Sequence, residues 1–166
     1  LGWNGKKLTG EHSGIILFSS GELKLKGDAV TGGVLEINMS SIQDTDMTGE
    51  YKGKLEGHLK SEDFFDAGKF PKAKFEITSV TPVQNDKVSG FTHTVKGNLT
   101  LKGKTNEIGF DAVIKRKDNK VACVGTATID RSKFDVKYGS KTFFAEIGDK
   151  VIYDDFTVKF NVAAVK

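Results

Sequence analysis

Apolar and polar residues alternate with a period of two along most of this chain. In GGVLEINMSS, Leu35, Ile37 and Met39 face one way, and Glu36, Asn38 and Ser40 the other. In KAKFEITSV, Phe75 and Ile77 oppose Lys74, Glu76 and Thr78. FTHTVKGNLTLKGK places Phe91, His93, Val95, Leu99 and Leu101 on one face, and NEIGFDAVIK does the same for Ile108, Phe110, Ala112 and Ile114. YDDFTVKFNVA sets Phe156, Val158, Phe160 and Val162 against Asp155, Thr157, Lys159 and Asn161. Such alternation marks antiparallel strands with one buried and one wet face. GIILFSS and GELKLKGD read as two N-terminal strands, and residues 121–129 as another. The count is about eight, at turn-separated intervals, which predicts an all-β barrel or sandwich.

One region breaks the rhythm. Tyr51, Leu55 and Leu59 fall four apart, a single helical stripe. Gly53 and Gly57 each weaken that helix by roughly 1 kcal/mol relative to Ala, so it needs a surface to pack on. Ser61, ahead of Glu62 and Asp63, reads as the N-cap of a short helical turn carrying Phe64 and Phe65. Phe70 and Pro71 then lead into the next strand. The stretch HLKSEDFFDAGKFP is charged yet carries three phenylalanines, and SKTFFAEIGDK has the same character at Phe143 and Phe144. Helix is therefore expected mainly over residues 48–66, with a short turn near 141–147. Both connections are expected to lie over a barrel end with their rings turned inward, as lid and mouth.

Composition narrows the class. With 166 residues, 37% hydrophobic and 28% charged, the chain suits one domain, residues 1–166, with a sizeable core. Its 19 Gly against 2 Pro fit a sheet protein with tight turns and bulges. The net charge of +3 comes from interspersed basic and acidic residues, so a nucleic-acid partner is not expected. The longest basic run, Lys115-Arg116-Lys117, is followed by Asp118 and reads as a solvated hairpin end. A lone cysteine, Cys123, excludes an internal disulfide and alternates with Val121 and Ala127 as a small hydrophobe. No run approaches the ~20 apolar residues of a transmembrane helix.

Candidate chemistry is sparse. His12, His58 and His93 lack metal-ligand spacing, so neither a metal nor another cofactor is expected. Asp154 and Asp155, adjacent at a strand start, point to opposite faces and do not make a catalytic dyad. Ser132 lacks a nucleophile-elbow setting and an identifiable base. TGGV and KGKTNE lack the strand-to-helix context of a phosphate loop and read as turns. Arg131, one of two arginines, reads first as a structural salt bridge and second as a headgroup ligand at a pocket mouth.

HLKSEDFFDAGKFPKAKFEI resembles the YceI-like family of bacterial proteins. EHSGIILFSSGELKL, LEINMSSIQDTD, VKGNLTLKGKTNEIGFDAVI and ATIDRSKFDVKYGSKTFFAEIGDKVIYDDFTVKFNV resemble its other blocks in order, over nearly the whole chain. The family often has Gly after the Phe of Arg-Ser-x-Phe, where this chain has Asp135. The resemblance implies an eight-stranded antiparallel, lipocalin-like barrel around a long apolar pocket that holds a polyisoprenoid or other long-chain amphiphile. It also implies a periplasmic or secreted location, with a leader outside this chain, and a homodimer in some members.

The inward stripe then supplies a candidate ligand set: Leu35, Ile37, Phe75, Ile77, Leu99, Leu101, Phe110, Phe156 and Phe160, with Phe64, Phe65 and Arg131 at the covered end. The expected activity is binding without catalysis. Two alternatives stand beside it. One is an enzyme or accessory factor acting on a bound isoprenoid. The other is a ligand-free β module, because alternation does not distinguish a filled barrel from a hollow one.

Overall fold

The computed structural model describes residues 1–83 and 90–165. Its eight strands, β1 Gly2–Lys7, β2 Gly10–Lys26, β3 Ala29–Asp44, β4 Lys72–Pro82, β5 His93–Leu101, β6 Lys104–Lys117, β7 Lys120–Asp130 and β8 Ile152–Val165, form a closed barrel in sequence order. Every strand pairs antiparallel with its chain neighbour, and β1 closes the ring on β8. One helix, α1 (Gly49–Lys60), connects β3 to β4. The expected all-β barrel and its strand count hold.

Two boundaries differ from expectation and compensate in the count. β1 is a strand although GWNGKK carries no alternation; its ladder with β2, not a buried face, holds it. GIILFSS and GELKLKGD are one strand, because Ser19-Ser20-Gly21 continues the ladder as an irregularity rather than turning. The register slips between Ile15 and Leu17 and again between Phe18 and Ser20. Each slip resets which side faces in. Ile16 is therefore buried while Leu17 is exposed, and the inward set moves from Phe18 to Leu23.

TGGV is also not a turn but the early part of β3. Gly32 and Gly33 are buried there, and a Cβ on Gly33 would sit 2.5 Å from the Glu22 carbonyl oxygen. KGKTNE does begin as a turn: Lys102 and Gly103 both take positive φ, 48° and 73°, as a two-residue hairpin requires.

The two ends of the barrel differ. At one end lie the β2–β3 and β6–β7 hairpins. They are not ladder neighbours, yet Arg116 joins them, with Nη1 2.9 Å from the Gly27 carbonyl and 2.7 Å from Asp28 Oδ1. The run around Arg116 is thus a hairpin end, as read, but Arg116 itself is a cross-barrel tie. The other end is covered by α1, by residues 61–71, and by the connection from β7 to β8. That connection begins with a 3₁₀ turn, Arg131–Phe134, and ends with another, Gly148–Lys150. Asp135 follows the first at φ 60°, ψ 29°, the left-handed region that glycine enters most easily and Asp tolerates.

The helical stripe is only partly right. Leu59 is buried and Leu55 half-buried, but Tyr51 stands 73% exposed. Ser61 is the C-cap rather than an N-cap: its N–H and Oγ both donate to the His58 carbonyl, at 3.1 and 2.8 Å. The chain then winds through turns, with Phe64 N–H donating to Ser61 O and Phe65 N–H to Leu59 O. Those turns place both rings inward.

Candidate functional site: a hollow apolar barrel

Inside the barrel is a cavity of ≈ 280 Å³. All twelve residues singled out from the sequence border it: Leu35, Ile37, Phe64, Phe65, Phe75, Ile77, Leu99, Leu101, Phe110, Arg131, Phe156 and Phe160. Sequence reasoning omitted others that border it too, including Trp3, Ile16, Phe18, Leu23, Val30, Cys123 and Val162. Trp3 and Leu23 were hidden by the unread strand β1 and by the slips in β2.

Exposure separates hollow from solid. Leu35, Ile37, Ile77, Ile108, Phe110, Phe156 and Phe160 all point inward, yet each is only half-buried. A close-packed interior would cover such side chains completely. Here they face open space. The larger rings are seated over cross-strand glycines. A Cβ on Gly97 would lie 2.6 Å from the Phe75 ring, and one on Gly125 2.6 Å from the Phe160 ring. Phe110 stands between these rings, at centroid distances of 5.7 Å to Phe75 and 5.0 Å to Phe160. The three form an aromatic belt in the wall, at separations that favour edge and tilted contacts.

The cavity is polarised along its axis. Lys6, Lys7, His12, His58, Arg131 and Tyr153 border it, and the strand directions put all six towards the α1 end. Leu23, Val30, Val121 and Val162 border it towards the hairpin end. Cys123, half-buried in the wall, has its thiol pKa pushed up by burial and behaves as a hydrophobe.

The covering at the α1 end is built around the two inward rings. Phe64 meets Phe65 at 5.1 Å, Phe65 meets Phe156 at 6.1 Å, and His58 packs on Phe64 at 5.8 Å. Phe70 lies against Gly103 of the β5–β6 turn. Lys102, in the same turn, donates to Glu62 O at 3.0 Å and to Asp135 O at 3.4 Å, so one side chain holds both covering segments. Phe143 and Phe144 do not join the lid. They are 38% and 48% exposed, and Phe143 sits under Lys137 at 5.3 Å. The connection that carries them turns back over the surface, its Thr142 hydroxyl donating to Asp154 Oδ2 at 2.6 Å.

Arg131 borders the cavity but is committed inside the protein. It is 1% exposed, and it donates to the carbonyls of Tyr153, Val136 and Ile152 at 3.2, 2.9 and 3.0 Å. Asp154 Oδ1 lies 3.4 Å from Nη2, an ion pair without hydrogen-bond geometry. Burial lowers the Arg131 pKa, and the Asp154 and Asp130 carboxylates oppose that shift. The first reading, a structural tie, describes it. Ser132 Oγ donates to Asp130 Oδ1 at 2.6 Å. His93 takes Thr92 Oγ1 as partner at 2.8 Å, as a satisfied histidine.

Comparison with known proteins agrees with this architecture. A UPF0312 protein of Pseudomonas fluorescens is 39% identical over 83 residues, which is 46% of this chain and 42% of that protein. A UPF0312 protein of Staphylococcus aureus (strain bovine RF122 / ET3-1) is 34% identical over 116 residues, 66% of this chain and 59% of that protein. The chain thus spans about half the length of the curated relatives it matches. Among solved structures, Burkholderia cenocepacia BcnA superposes with a TM-score of 0.76 at 21% identity, covering 99% of this chain and 94% of BcnA. A polyisoprenoid binding domain from Saccharophagus degradans, implicated in plant cell wall breakdown, superposes at 0.64 with 17% identity, over 98% and 90% of the two chains. At these identities the likeness shows the fold. The sequence pattern of the YceI-like domain matches residues 2–164, and on that match the chain belongs to the YceI-like family.

Proposed function

We propose that this protein binds a long-chain amphiphile, a polyisoprenoid or an isoprenoid quinone-type lipid, and sequesters or carries it without chemical change. The observation that carries the reading is the ring of inward, half-buried aliphatic and aromatic side chains around a ≈ 280 Å³ cavity. Such a lining supplies few hydrogen bonds and a large apolar surface. A tail placed there leaves water at roughly 25 cal/mol per Å², or about 0.8 kcal/mol per buried CH₂. The polarity of the cavity gives the ligand a direction: head at the α1 end, near Lys6, Lys7 and His12, and tail towards Val30, Val121 and Val162. The polyisoprenoid binding domain with the same fold supports this class of ligand.

Solvent extraction of purified protein followed by mass spectrometry tests the reading. The expected result is a long-chain compound at near-stoichiometric yield, or uptake of a polyprenol probe by delipidated protein. Protein that carries no such compound and takes up no probe overturns it. The reading includes export to the periplasm or beyond the cell, which rests on the family resemblance. Fractionation of cells expressing the full native gene tests that part separately.

A further inference from the structure

At the corner where β2 begins and β3 ends, His12 comes together with Asp44 and Asp46, which lie more than thirty residues further along the chain. One ligand atom from each of His12, Asp44 and Asp46 lies within 4.8 Å of the others. His12 Nδ1 is 3.1 Å from Asp46 Oδ1, and Asp46 Oδ2 accepts the Ser13 N–H at 2.7 Å. Asp44 is wholly buried. Its Oδ1 accepts the Met47 N–H at 2.7 Å, while its Oδ2 has no hydrogen-bond partner among the described residues.

That arrangement sets two carboxylates against a single imidazole. An ionised carboxylate out of contact with water needs either donors or a cation. Asp44 has one donor for two oxygens and a second carboxylate beside it. Glu56 adds to the negative charge on the other side, its Oε1 accepting the Asp44 N–H at 2.9 Å. Lys52 pairs with Glu56 at 3.8 Å, and no ion pair among the described residues joins a lysine or arginine to either aspartate. His12 is the one basic group in the cluster, and it is paired with Asp46.

We propose that His12, Asp44 and Asp46 bind a divalent transition-metal cation, with Zn²⁺ or Mn²⁺ as the matching ions. Two carboxylate oxygens and one imidazole nitrogen are the donors such ions take, and water completes the shell. Donors at ~2.0–2.2 Å around a tetrahedral ion are about 3.3–3.6 Å apart, so atoms that now lie within 4.8 Å of one another close by up to about an ångström through side-chain rotation. The bound ion takes the place of the His12–Asp46 contact and gives Asp44 Oδ2 its partner. It also fixes the end of β3 to the start of β2, beside the polar end of the cavity that His12 borders. The proposed site departs from the expectation, drawn from the sequence, of no metal at the histidines, and the reason is simple. His12 and its acidic partners are more than thirty residues apart, so no local spacing betrays them.

Full-length protein stripped with EDTA is titrated with ZnCl₂ and with MnCl₂ by calorimetry, and its melting temperature is followed with and without metal. The expected result is one saturable equivalent of at least one of these ions and a rise in melting temperature. His12→Gln and Asp46→Asn should each weaken binding by about tenfold or more while leaving a folded barrel. Absence of a saturable equivalent overturns the proposal, and so does binding that both variants leave unchanged. Asp44→Asn separates the site from a shared proton. If that variant melts higher than wild type in EDTA, and wild type gains nothing from metal, the buried oxygen is held by a proton and the site does not exist. The lipid reading stands or falls independently, since its extraction test needs no metal.

Discussion

The guanidinium carbon of Arg131 lies 5.3 Å from the centre of the Phe64 ring. The contact joins the two segments that cover the α1 end, one following α1 and the other following β7. A cation over an aromatic face is worth more when both are removed from water, as here. Arg131 thereby serves three carbonyls, one carboxylate and one ring at once. Arg131→Met should destabilise the protein by about 3–5 kcal/mol, since those groups are left buried and unpaired. Arg131→Lys should recover only part of the loss, because an ammonium cannot reproduce the planar fork. Urea unfolding curves measure both. A loss below about 1 kcal/mol for the Met variant would show that the tie matters little to the fold.

Phe65 tests whether the cover gates the cavity. Its ring touches Phe64 and Phe156, one in the cover and one in the barrel wall. Phe65→Ala should leave a folded barrel, lowered in stability by no more than about 3–5 kcal/mol, and should speed release of a bound polyprenol probe. Stopped-flow displacement reads the release rate. A full stability loss with unchanged release kinetics would make this ring ordinary core.

Ile37 and Leu99 test where the tail runs. Both point into the cavity, from β3 and β5 on either side of β4. Ile37→Lys or Leu99→Lys places an unpaired charge against the tail, and desolvating it opposes binding strongly. Each variant should fold yet lose its lipid load, scored by mass spectrometry of the extract. If both keep the wild-type load, the tail lies elsewhere.

Glu36 gives a pH dependence on the outer wall. Lys72 at 2.7 Å, then Ser20, lower its pKa below the ordinary 4.5. A carboxylate lowered by folding contributes stability that is complete above the unfolded pKa and lost as pH falls through the folded one. Glu36→Gln should therefore melt slightly lower than wild type at pH 7, with the gap closing below pH 4.5. Because the pair is solvent-exposed, added salt should shrink the gap as well. A gap that persists at low pH would trace to packing rather than charge.

How much of this was legible in the sequence varied with the kind of signal. Period-two alternation located the inward faces of β3, β4, β5, β6 and β8, because one wet face and one apolar face leave that mark. It could not show that the inward side chains fail to meet across the barrel, which depends on curvature and closure. Irregularities defeated it: the slips in β2 turned Leu17 outward and Leu23 inward. Strand β1, held by ladder hydrogen bonds to β2 and β8, had no side-chain pattern to read. The lid was half legible. Phe64 and Phe143 sit in similarly charged runs, and only the turns after Ser61 bring one of them inside. Long-range pairs such as Arg116 with Asp28, or His12 with Asp46, left no local trace.

The order of the strands bears on how a lipid first enters. Seven of the eight ladders join strands adjacent in the chain, and only the β1–β8 ladder links opposite ends of the sequence. Closing a loop that long costs the most chain entropy, so this seam should form last. Until it does, the sheet is an open, curled meander with its apolar face accessible from the side. The finished barrel offers no such route. Chain refolding from urea with polyprenol present should then load faster than native protein given the same polyprenol, and equal loading rates would mean that the folded barrel opens readily by itself.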